Sequence, residues 1–388
     1  MVQKVGVIAM SNLSVGGGYA RVVNSLINHL NDLGKKVYLL TSSEIDVKKI
    51  ENYHGKFKVE KLYQPKGIRK LFCREETISR ILMKPDLLKM LNEVDFIIDV
   101  DGRVLDKYIP AKDKHKYVIW RVSCAYPDTK KFTHVKLSFT RKIKEFVKDF
   151  LYTKMNLPGK DVRIYPLDKW TGEELIKYWD RKPMDKRLYA EIKVEEFLKW
   201  KGKKKKQIAV FGRIAPNKMI DDSIKIFANG TKNHPEYNLI ILGGLTPDSE
   251  SYIKLLKDLI EKLNLKDRVE ILGNPSFEKL KNVLLDSEIV VDSQWGTSHN
   301  MTSMEALAAG AIVLAHKNGG TYTEILDNGK YGFGASNVEE GSQMLNDIIK
   351  KIKSGKLNGN AFRKRTSFFD EKAYRDRLKA ILKENNAL

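Results

Sequence analysis

The chain has 388 residues, of which 42% are hydrophobic and 31% are charged. This length predicts two or three domains, and the composition, with only two cysteines, excludes disordered, collagen-like and disulfide-stapled classes. The formal net charge is +21, no apolar run reaches the roughly 18 residues of a bilayer-spanning helix, and the N-terminus does not resemble a secretory signal, so we expect a cytoplasmic protein.

The N-terminal half begins with a strand, helix, strand pattern. Residues 5–10 form a nearly continuous apolar run, which is typical of a buried parallel strand. A glycine-rich loop follows, and apolar residues then recur at helical spacing until Gly34 ends the predicted helix. Further strands are predicted at residues 36–40, 95–100 and 117–122.

The C-terminal half alternates more regularly between the two kinds of element. Strands are predicted at residues 208–211, 239–242, 269–272, 289–292 and 312–315, and helices at 252–263 and 277–285. This alternation predicts a second doubly wound parallel sheet. The predicted fold class is therefore α/β, with two Rossmann-like domains.

The charged stretch between the halves, residues 168–206, is predicted to be irregular, with its lysine run 201–206 as a hinge. The predicted domains cover residues 1–200 and 207–370. An amphipathic helix is predicted within the tail, residues 371–388, and we expect it to cross back to the N-terminal domain.

A glycine-rich loop in the first half is a candidate ligand-binding feature. Gly17 and Gly18 stand directly before the first predicted helix, where glycine allows close approach of a ligand and the helix offers unpaired N–H groups to an anion. The loop is not a dinucleotide fingerprint, because Arg21 occupies the place of the third glycine. A simple flexible turn is the alternative.

Two cations follow the first strand of the second half. Arg213 and Lys218 are five residues apart on the loop that leaves this strand. Two cations at the carboxyl end of a strand can hold a diphosphate, with a forked contact from arginine and a point charge from lysine. Solvated surface charges are the alternative, since the chain has 70 basic residues.

The third candidate feature is the segment that leads into a helix predicted to start near Thr302 and to stop at Gly310. The free N–H groups of Asn300, Met301 and Thr302 are candidates for holding phosphate, with Glu305 accepting hydrogen bonds from ribose hydroxyls. The alternative is a capping box, in which Glu305 satisfies a backbone N–H at a helix capped by Thr302.

In this order and spacing, these motifs resemble the GT-B glycosyltransferases, most closely family 4. The resemblance covers nearly the whole chain and includes Gly243-Gly244, the segment 305–310, Gly319-Gly320 and Glu324, which are similar to the family's Glu-Ala-Met-Ala-x-Gly and Gly-Gly-x-x-Glu patterns. It implies two Rossmann-like domains facing across a cleft, the N-terminal one binding acceptor. It also implies diphosphate binding by Arg213 and Lys218, ribose binding by Glu305, and a nucleobase near Gly273.

The sequence departs from the family at two places. Thr297 stands where the family has the first of two glutamates, which contacts the donor sugar, and His299 and Asn300 replace the usual Phe-Gly. All three are candidate substrate-binding residues, since a neutral His299 is able to hydrogen-bond a sugar hydroxyl; a bystander histidine on a loop is the alternative. The histidine that many members place near the reacting carbon is also absent from the ends of strands 95–100 and 117–122. Asp101 is our candidate acceptor-side group there, with an Asp-Gly turn as the alternative.

The resemblance implies transfer of a sugar from a UDP- or GDP-sugar donor, with retained anomeric configuration, to a saccharide, lipid or protein acceptor. No metal or other cofactor is expected, because Arg213 and Lys218 supply the positive charge. The alternatives are a nucleotide-sugar-binding protein without transferase activity, a basic nucleic-acid-binding protein, which lacks a recognition motif here, and an NAD-dependent dehydrogenase, which lacks the third glycine.

Two basic segments with interleaved apolar residues, 66–89 and 130–154, predict binding to the cytoplasmic face of an anionic membrane. Helix faces packed on a core are the alternative.

Overall fold

The computed structural model describes residues 2–14, 17–73, 79, 81–102, 106–123, 157–200, 202–246, 249–294 and 296–388. These residues form two compact units. Unit 1 contains the described residues up to 123, residues 157–191 and residues 372–388, and unit 2 contains residues 192–371. The predicted amphipathic segment 130–154 lies outside the described residues.

Unit 1 is built on a sheet of six parallel strands in the order β3-β2-β1-β4-β5-β6. The strands are β1 (Lys4–Ala9), β2 (Lys36–Thr41), β3 (Lys61–Tyr63), β4 (Phe96–Val100), β5 (Tyr117–Arg121) and β6 (Arg163–Pro166). Its helices are α1 (Gly18–Asp32), α2 (Val47–His54), α3 (Arg69–Phe72), α4 (Lys84–Glu93), α5 (Lys169–Trp179) and, at the end of the chain, α12 (Glu371–Glu384).

Unit 2 contains a second sheet of six parallel strands in the order β12-β11-β10-β7-β8-β9. The strands are β7 (Lys205–Phe211), β8 (Asn238–Gly243), β9 (Val269–Gly273), β10 (Ser287–Asp292), β11 (Ile312–His316) and β12 (Phe333–Ala335). Its helices are α6 (Glu195–Leu198), α7 (Ile220–Gly230), α8 (Ser249–Lys262), α9 (Phe277–Asp286), α10 (Met301–Ala308) and α11 (Val338–Lys353).

The two sheets have the same connectivity. In each sheet the first strand of the unit lies between the second and the fourth strands of that unit. The direction of winding therefore reverses between β1 and β4 and between β7 and β10. In doubly wound sheets a crevice for ligands opens at this reversal, outside the carboxyl ends of the strands. The predicted doubly wound α/β architecture is therefore confirmed for both units.

The apolar patterns explain why these elements form. β1 is buried at five of its six positions because helices cover both faces of a parallel sheet. In α1, residues Val23, Leu26, Ile27 and Leu30 are fully buried at helical spacing. Each such side chain stabilises the fold by about 1.5–3 kcal/mol relative to exposure to water.

One sequence expectation is wrong. The stretch 168–206 was expected to be irregular, but residues 169–179 form helix α5, capped by the Asp168 carboxylate, which accepts a hydrogen bond from the Thr171 N–H at 2.6 Å. Lys205 and Lys206, expected in a hinge, are the first residues of β7. Asp168 and Thr171 carry the N-cap signal that predicts this helix. The domain boundaries themselves stay predictions.

None of the helices in the described part of the chain combines the length and the apolar content that crossing a bilayer requires.

Candidate functional site at the strand ends of unit 2

The loops that follow β7 and β10 leave neighbouring strands at the point where the sheet of unit 2 reverses its winding. The β7 loop carries Arg213 and Lys218, and the β10 loop leads into α10 with Glu305. Parallel strands end at a common edge, so both loops lie on the same side of the sheet. This edge is the site that the sequence motifs predict.

The Arg213 loop is held against β8 by two glycines. Gly212 has a backbone φ of +147°, and its N–H donates to the Leu242 carbonyl at 3.1 Å. A Cβ atom at Gly243 would lie 1.6 Å from the Gly212 carbonyl oxygen, so no side chain fits at Gly243. Gly243, the first residue of the Gly243-Gly244 motif, therefore permits this close passage of the two backbones.

Arg213 is exposed on this loop. Among the described residues, no carboxylate forms an ion pair with its guanidinium. An exposed cation at the carboxyl end of a central strand, next to the reversal point, is suited to contact an anionic ligand.

Lys218 is directed toward the loop after β10. Its aliphatic carbons pack over Gly212, where a Cβ atom would lie 3.3 Å from Lys218 Cδ. Its Nζ donates a hydrogen bond to Gln294 Oε1. The structure thus connects the two predicted loops through a lysine–glutamine hydrogen bond that sequence reasoning missed.

Helix α10 begins one residue earlier than the sequence predicts, and its cap is different. The N-cap is Asn300, whose Oδ1 accepts a hydrogen bond from the Thr302 N–H at 3.1 Å. The capping-box alternative, with Thr302 as the cap and Glu305 as its partner, is therefore wrong. Asn300 was predicted as a ligand contact, and the structure gives it a local role at the helix start.

Asp292, the last residue of β10, organises the surroundings of this cap. Its Oδ2 accepts hydrogen bonds from Asn300 Nδ2 at 3.1 Å, Ser303 Oγ at 3.4 Å and Thr321 Oγ1 at 3.0 Å. A buried carboxylate with three neutral donors is well satisfied and fixes the groups that donate to it. Asp292 was not predicted as a site residue, although an acidic residue that ends an apolar strand is a visible signal.

Glu305 lies in the second turn of α10 and is 3% exposed. The neighbouring Met301 and Thr302 are partly exposed at the helix start. The Asn300 Oδ1 accepts from the Thr302 N–H, and the Asn300 carbonyl accepts from the Ser303 N–H at 3.0 Å. Of the first-turn N–H groups, that of Met301 therefore has no partner among the described residues, at the end of the helix where phosphate is predicted to bind. The helix thus offers its positive end on the same edge as Arg213.

Thr297 and His299 stand on the loop between β10 and α10. The Thr297 carbonyl accepts a hydrogen bond from the Gly320 N–H at 2.8 Å, and a Cβ atom at Gly319 would lie 3.2 Å from this oxygen. The His299 ring packs edge-on against Phe369, with the centroids 5.7 Å apart. These interactions hold Thr297 and His299, the two predicted ligand contacts, in fixed places after the end of β10.

The segment after Gly320 contains a structural departure from the family pattern. Three residues separate Gly320 from Glu324, one more than in Gly-Gly-x-x-Glu, and residues Thr321–Ile325 form a π-helical turn. A π turn absorbs one additional residue without breaking the helix, and such turns occur frequently at functional sites. Here the turn carries the Thr321 hydroxyl that donates to Asp292.

Gly273 is the last residue of β9, which is separated from β7 by β8 in the sheet. A Cβ atom there would lie 3.0 Å from the Leu245 side chain. The following residue, Asn274, donates its N–H to the Gly243 carbonyl at 2.8 Å and accepts a hydrogen bond from the Leu245 N–H at 2.8 Å. Gly273 therefore belongs to the same row of strand ends.

A cavity of about 960 Å³ adjoins this edge below the ends of β10, β11 and β12. It is lined in part by Asp292 and by His316, and neither Arg213 nor Glu305 lines it. Burial lowers the pKa of His316, whose Nδ1 accepts from the Asn318 N–H at 3.0 Å. Its Nε2 consequently donates to the Ser336 carbonyl at 3.0 Å, which fixes a neutral ring.

The predicted residues of unit 1 lie at the ends of its own strands. Gly17 is the N-cap of α1 and is exposed, and outside its chain neighbours no atom of the described residues lies within 4 Å of the position that a Cβ would occupy there. Gly18 is the first helical residue and is also exposed. This geometry fits the predicted open glycine loop.

Asp101 follows β4 and is 1% exposed. Its backbone φ is +75°, and Gly102 has φ +63°, as in the Asp-Gly turn that is the alternative to an acceptor-side role. Its Oδ1 accepts hydrogen bonds from the N–H groups of Val122 at 2.9 Å and Ser123 at 2.7 Å. The buried Arg121 donates to the Asp101 carbonyl at 2.7 Å. The carboxylate thus orders the end of β5.

Comparison with known structures defines the class of fold. The chain is similar to the Anabaena protein HepE, crystallised with UDP and glucose (TM-score 0.66, 16% identity, covering 98% of this chain and 100% of that one). It is equally similar to sucrose-phosphate synthase from Thermosynechococcus elongatus (TM-score 0.69, 15% identity, covering 99% of both chains). The fold is that of the GT-B glycosyltransferases, as the sequence motifs predict.

Residues 193–367, which lie almost entirely in the C-terminal half of the chain, match the family model of "Glycosyl transferases group 1". The human protein "GDP-Man:Man(3)GlcNAc(2)-PP-Dol alpha-1,2-mannosyltransferase" is 26% identical over 194 residues, which are 46% of this chain and 39% of that protein. The matched part of the chain thus spans about two fifths of the length of this human protein and of its Xenopus laevis counterpart.

Proposed function

We propose that the protein is a hexosyltransferase that moves a sugar from a nucleoside-diphosphate sugar to an acceptor, with retention of anomeric configuration. The observation that carries this proposal is the exposed Arg213, which has no carboxylate partner among the described residues. It lies on the loop that Lys218 joins, through Gln294, to the loop between β10 and α10. The family domain over residues 193–367 supports it.

The chemistry follows from the charges at this edge. When the sugar leaves, negative charge accumulates on the β-phosphate of the donor. In our proposal, Arg213, Lys218 and the positive N-terminal end of α10 stabilise this charge. Glu305 binds the ribose hydroxyls, the backbone at Gly273 lies near the base, and Thr297, His299 and Asn300 line the place of the transferred sugar.

Replacement of Arg213 by alanine tests the diphosphate contact. We expect turnover to fall about 100–1000-fold, the effect of removing one preorganised donor to a developing oxyanion. Initial rates are measured with the donor that gives the largest thermal shift in a screen of UDP- and GDP-sugars. Lys262→Ala is the matched control, since it removes an exposed cation at the C-terminal end of α8, away from the strand ends that form the candidate site. Equal rates in both variants would exclude the proposed contact.

Donor base and stereochemistry are tested in the same assay. The human relative is named for GDP-mannose, whereas the HepE structure contains UDP, so both bases are candidates here. A donor at about 100 times its dissociation constant stabilises the folded protein by roughly 2.7 kcal/mol, a readily measured shift. The anomeric coupling constant of the fresh product, measured by ¹H NMR, distinguishes retention from inversion.

A nucleotide-sugar-binding protein without transferase activity is the second candidate. Thr297 replaces the family's first glutamate, and this observation favours it. Donor-dependent stabilisation without either transfer or hydrolysis would identify this function. A Thr297→Glu variant that gains turnover would show that the missing carboxylate is the cause.

For the acceptor side we propose unit 1, with the open backbone at Gly17 and Gly18 near the acceptor. Asp101 is proposed as a positioning residue that orders Ser123 at the end of β5. The acceptor class stays a saccharide, a lipid or a protein, and the name of the human relative includes the lipid-linked Man(3)GlcNAc(2)-PP-Dol.

We further propose peripheral binding to an anionic membrane from the cytoplasm. The described part of segment 66–89 exposes Ile68 (72%) and Ile81 (57%) among basic side chains. Such a surface combines apolar insertion with attraction to anionic headgroups. Co-sedimentation with phosphatidylserine vesicles that is lost at high salt is the expected result, and failure to sediment at low salt would contradict it.

A further inference from the structure

A second cavity opens at the edge of the unit 2 sheet opposite the candidate nucleotide site. Its volume is about 490 Å³, and it is lined by the residues that lead into β7, by the beginnings of β10 and β11, and by the loop 355–363. Strand beginnings lie at the amino edge of a parallel sheet, so this cavity is separate from Arg213 and Lys218, which follow a strand end. Nothing in the proposed transfer reaction uses it.

Two cations line this cavity. Lys204 Nζ donates to the Leu284 carbonyl at 3.3 Å and lies 5.1 Å from the centre of the Trp200 ring. Arg363 Nη2 donates to the Ala309 carbonyl at 3.0 Å, and its buried Nε has no hydrogen-bond partner in the described part of the chain. Neither cation forms an ion pair with a carboxylate of the described residues.

The nearby carboxylates are already neutralised by other lysines. Glu288, which lines the cavity, accepts from Lys206 Nζ at 2.8 Å and from the Tyr237 hydroxyl at 2.5 Å. Asp286 pairs with Lys205 at 2.7 Å. Among the described residues, Lys204 and Arg363 are therefore left without a carboxylate as ion-pair partner.

The energetic consequence appears at Lys204. Burial lowers its pKa to about 7, and the charge of Arg363 acts in the same direction, against the weaker opposite effect of Asp286 and Glu288. Burial also lowers the pKa of Arg363. Two partly buried cations that repel each other are unfavourable, and a bound anion would stabilise the charged form of Lys204.

Glycines shape the wall next to these cations. Gly310 has φ +76°, and a Cβ atom there would lie 2.4 Å from Asn360 Oδ1 and 2.9 Å from Arg363 Nε. A Cβ atom at Gly359 would lie 2.2 Å from the Gly310 carbonyl oxygen. Only glycine permits this packing, which brings Arg363 to the cavity wall.

We propose that this cavity binds the phosphate group of a small phosphorylated molecule, with Lys204 and Arg363 as its charge partners and the Trp200 ring as part of the wall. Arginine recognises phosphate oxygens through its planar fork and lysine through a point charge. A volume of about 490 Å³ accommodates a ligand larger than inorganic phosphate. The proposal is independent of the transferase reaction.

The test measures phosphate binding to the full chain by isothermal titration calorimetry at constant ionic strength. All proteins carry Lys218→Met, which weakens phosphate binding at the candidate nucleotide site. In this background we compare Lys204→Met with Lys203→Met, a control that removes an exposed lysine one residue away. The probes are inorganic phosphate and glucose 6-phosphate.

We expect Lys203→Met to change the dissociation constant by less than twofold and Lys204→Met to raise it at least tenfold. Tighter binding of glucose 6-phosphate than of inorganic phosphate, lost in Lys204→Met, supports an organic phosphate as the ligand. Equal affinities of the Lys203 and Lys204 variants, or no binding of either probe at millimolar concentration, would overturn the proposal. Arg363→Gln is a second variant with the same expected loss, and its folding is checked by circular dichroism.

Discussion

At the scale of single residues, Gly243 decides whether the Arg213 loop can reach its place. The Gly212 carbonyl passes so close to Gly243 that a Cβ atom there would lie 1.6 Å from the oxygen, a distance that requires the backbone to move. At Gly244, the next residue, the nearest atom of the described residues to the Cβ position is Asn274 Oδ1, at 4.0 Å. Steric contact therefore requires glycine at position 243, whereas position 244 has room for a Cβ atom.

Alanine at each of these positions separates the two cases. We expect Gly243→Ala to lower the free energy of unfolding by about 1–3 kcal/mol or more, as overpacking does, and to weaken donor binding because the Arg213 loop is displaced. Gly244→Ala should leave both quantities nearly unchanged. Urea unfolding and donor-induced thermal shifts measure them, and similar losses in the two variants would contradict this explanation.

At the scale of elements, the start of α10 combines a helix cap with the proposed phosphate contact. Asn300 accepts from the Thr302 N–H and donates to Asp292, which connects the helix to the end of β10. Asn337 caps α11 in the same manner by accepting from the Glu340 N–H at 2.9 Å. The two asparagines form a matched pair for mutation.

Asn300→Ala and Asn337→Ala should each lower the free energy of unfolding by about 0.5–2 kcal/mol, the usual effect of removing an N-cap side chain. Only Asn300→Ala should also weaken donor binding, because our proposal places the phosphate at the N-terminus of α10 and not at that of α11. Chemical denaturation and calorimetric titration of the donor measure the two effects. A loss of donor affinity in Asn337→Ala as large as that in Asn300→Ala would contradict the proposed role of α10.

The C-terminal helix α12 is joined to β6 by polar contacts. Tyr165 donates to Glu384 Oε2 at 2.9 Å and accepts from Asn385 Nδ2 at 2.8 Å. Burial raises the pKa of Tyr165 to about 12, with Glu384 acting in the same direction and Asn385 against it. Because the folded-state pKa lies above the ordinary value near 10, this stabilisation is present below pH 10 and is lost between pH 10 and 12.

The alkaline dependence of unfolding therefore tests Tyr165. Between pH 10 and 12 we expect the free energy of unfolding of the wild type to fall by up to about 2–3 kcal/mol more than that of Tyr165→Phe, which has no phenol to titrate. Tyr53→Phe, which changes an exposed tyrosine of α2, should follow the wild type. Parallel curves for wild type and Tyr165→Phe would exclude this contribution.

At the scale of the whole molecule, the final helix belongs to the core of unit 1, although its sequence follows unit 2. Tyr374, Leu378, Ile381 and Leu382 of α12 are 0–4% exposed. The Tyr374 ring lies 4.7 Å from His29 and 6.2 Å from Trp120, measured between ring centroids. The chain thus contributes to two cores, each with its own sheet.

A single truncation in α12 should consequently destabilise one unit alone. We expect Leu378→Ala to cost about 2–5 kcal/mol, and Lys372→Ala, which changes an exposed residue of the same helix, to cost little. Hydrogen exchange followed by mass spectrometry should show lost protection in β1 and β5 and retained protection in β7 and β10. Equal loss in both sheets would contradict separate cores.

The sequence by itself determined the elements whose signals are local. Apolar runs predicted the strands of both sheets, and apolar residues at helical spacing predicted α1 and α8. A helix that buries one face repeats its apolar residues at the helical period, which is visible in the local sequence. The order and spacing of the glycine, arginine and glutamate motifs were enough to predict the GT-B fold. The helix α5 was missed because its N-cap, Asp168, lies in a stretch dominated by charged residues.

Only the tertiary structure decided what depends on residues distant in the chain. The hydrogen bonds of Asp292 to Ser303 and Thr321, the approach of Gly212 to Gly243, and the burial of Asp101 arise from strand order, which local sequence does not encode. The same holds for the cap at Asn300, since Asn300 and Thr302 both have the side chains of a cap and the contact with Asp292 favours the former. The type of each side chain can be read from the local sequence, but the residues that it contacts are determined by tertiary packing.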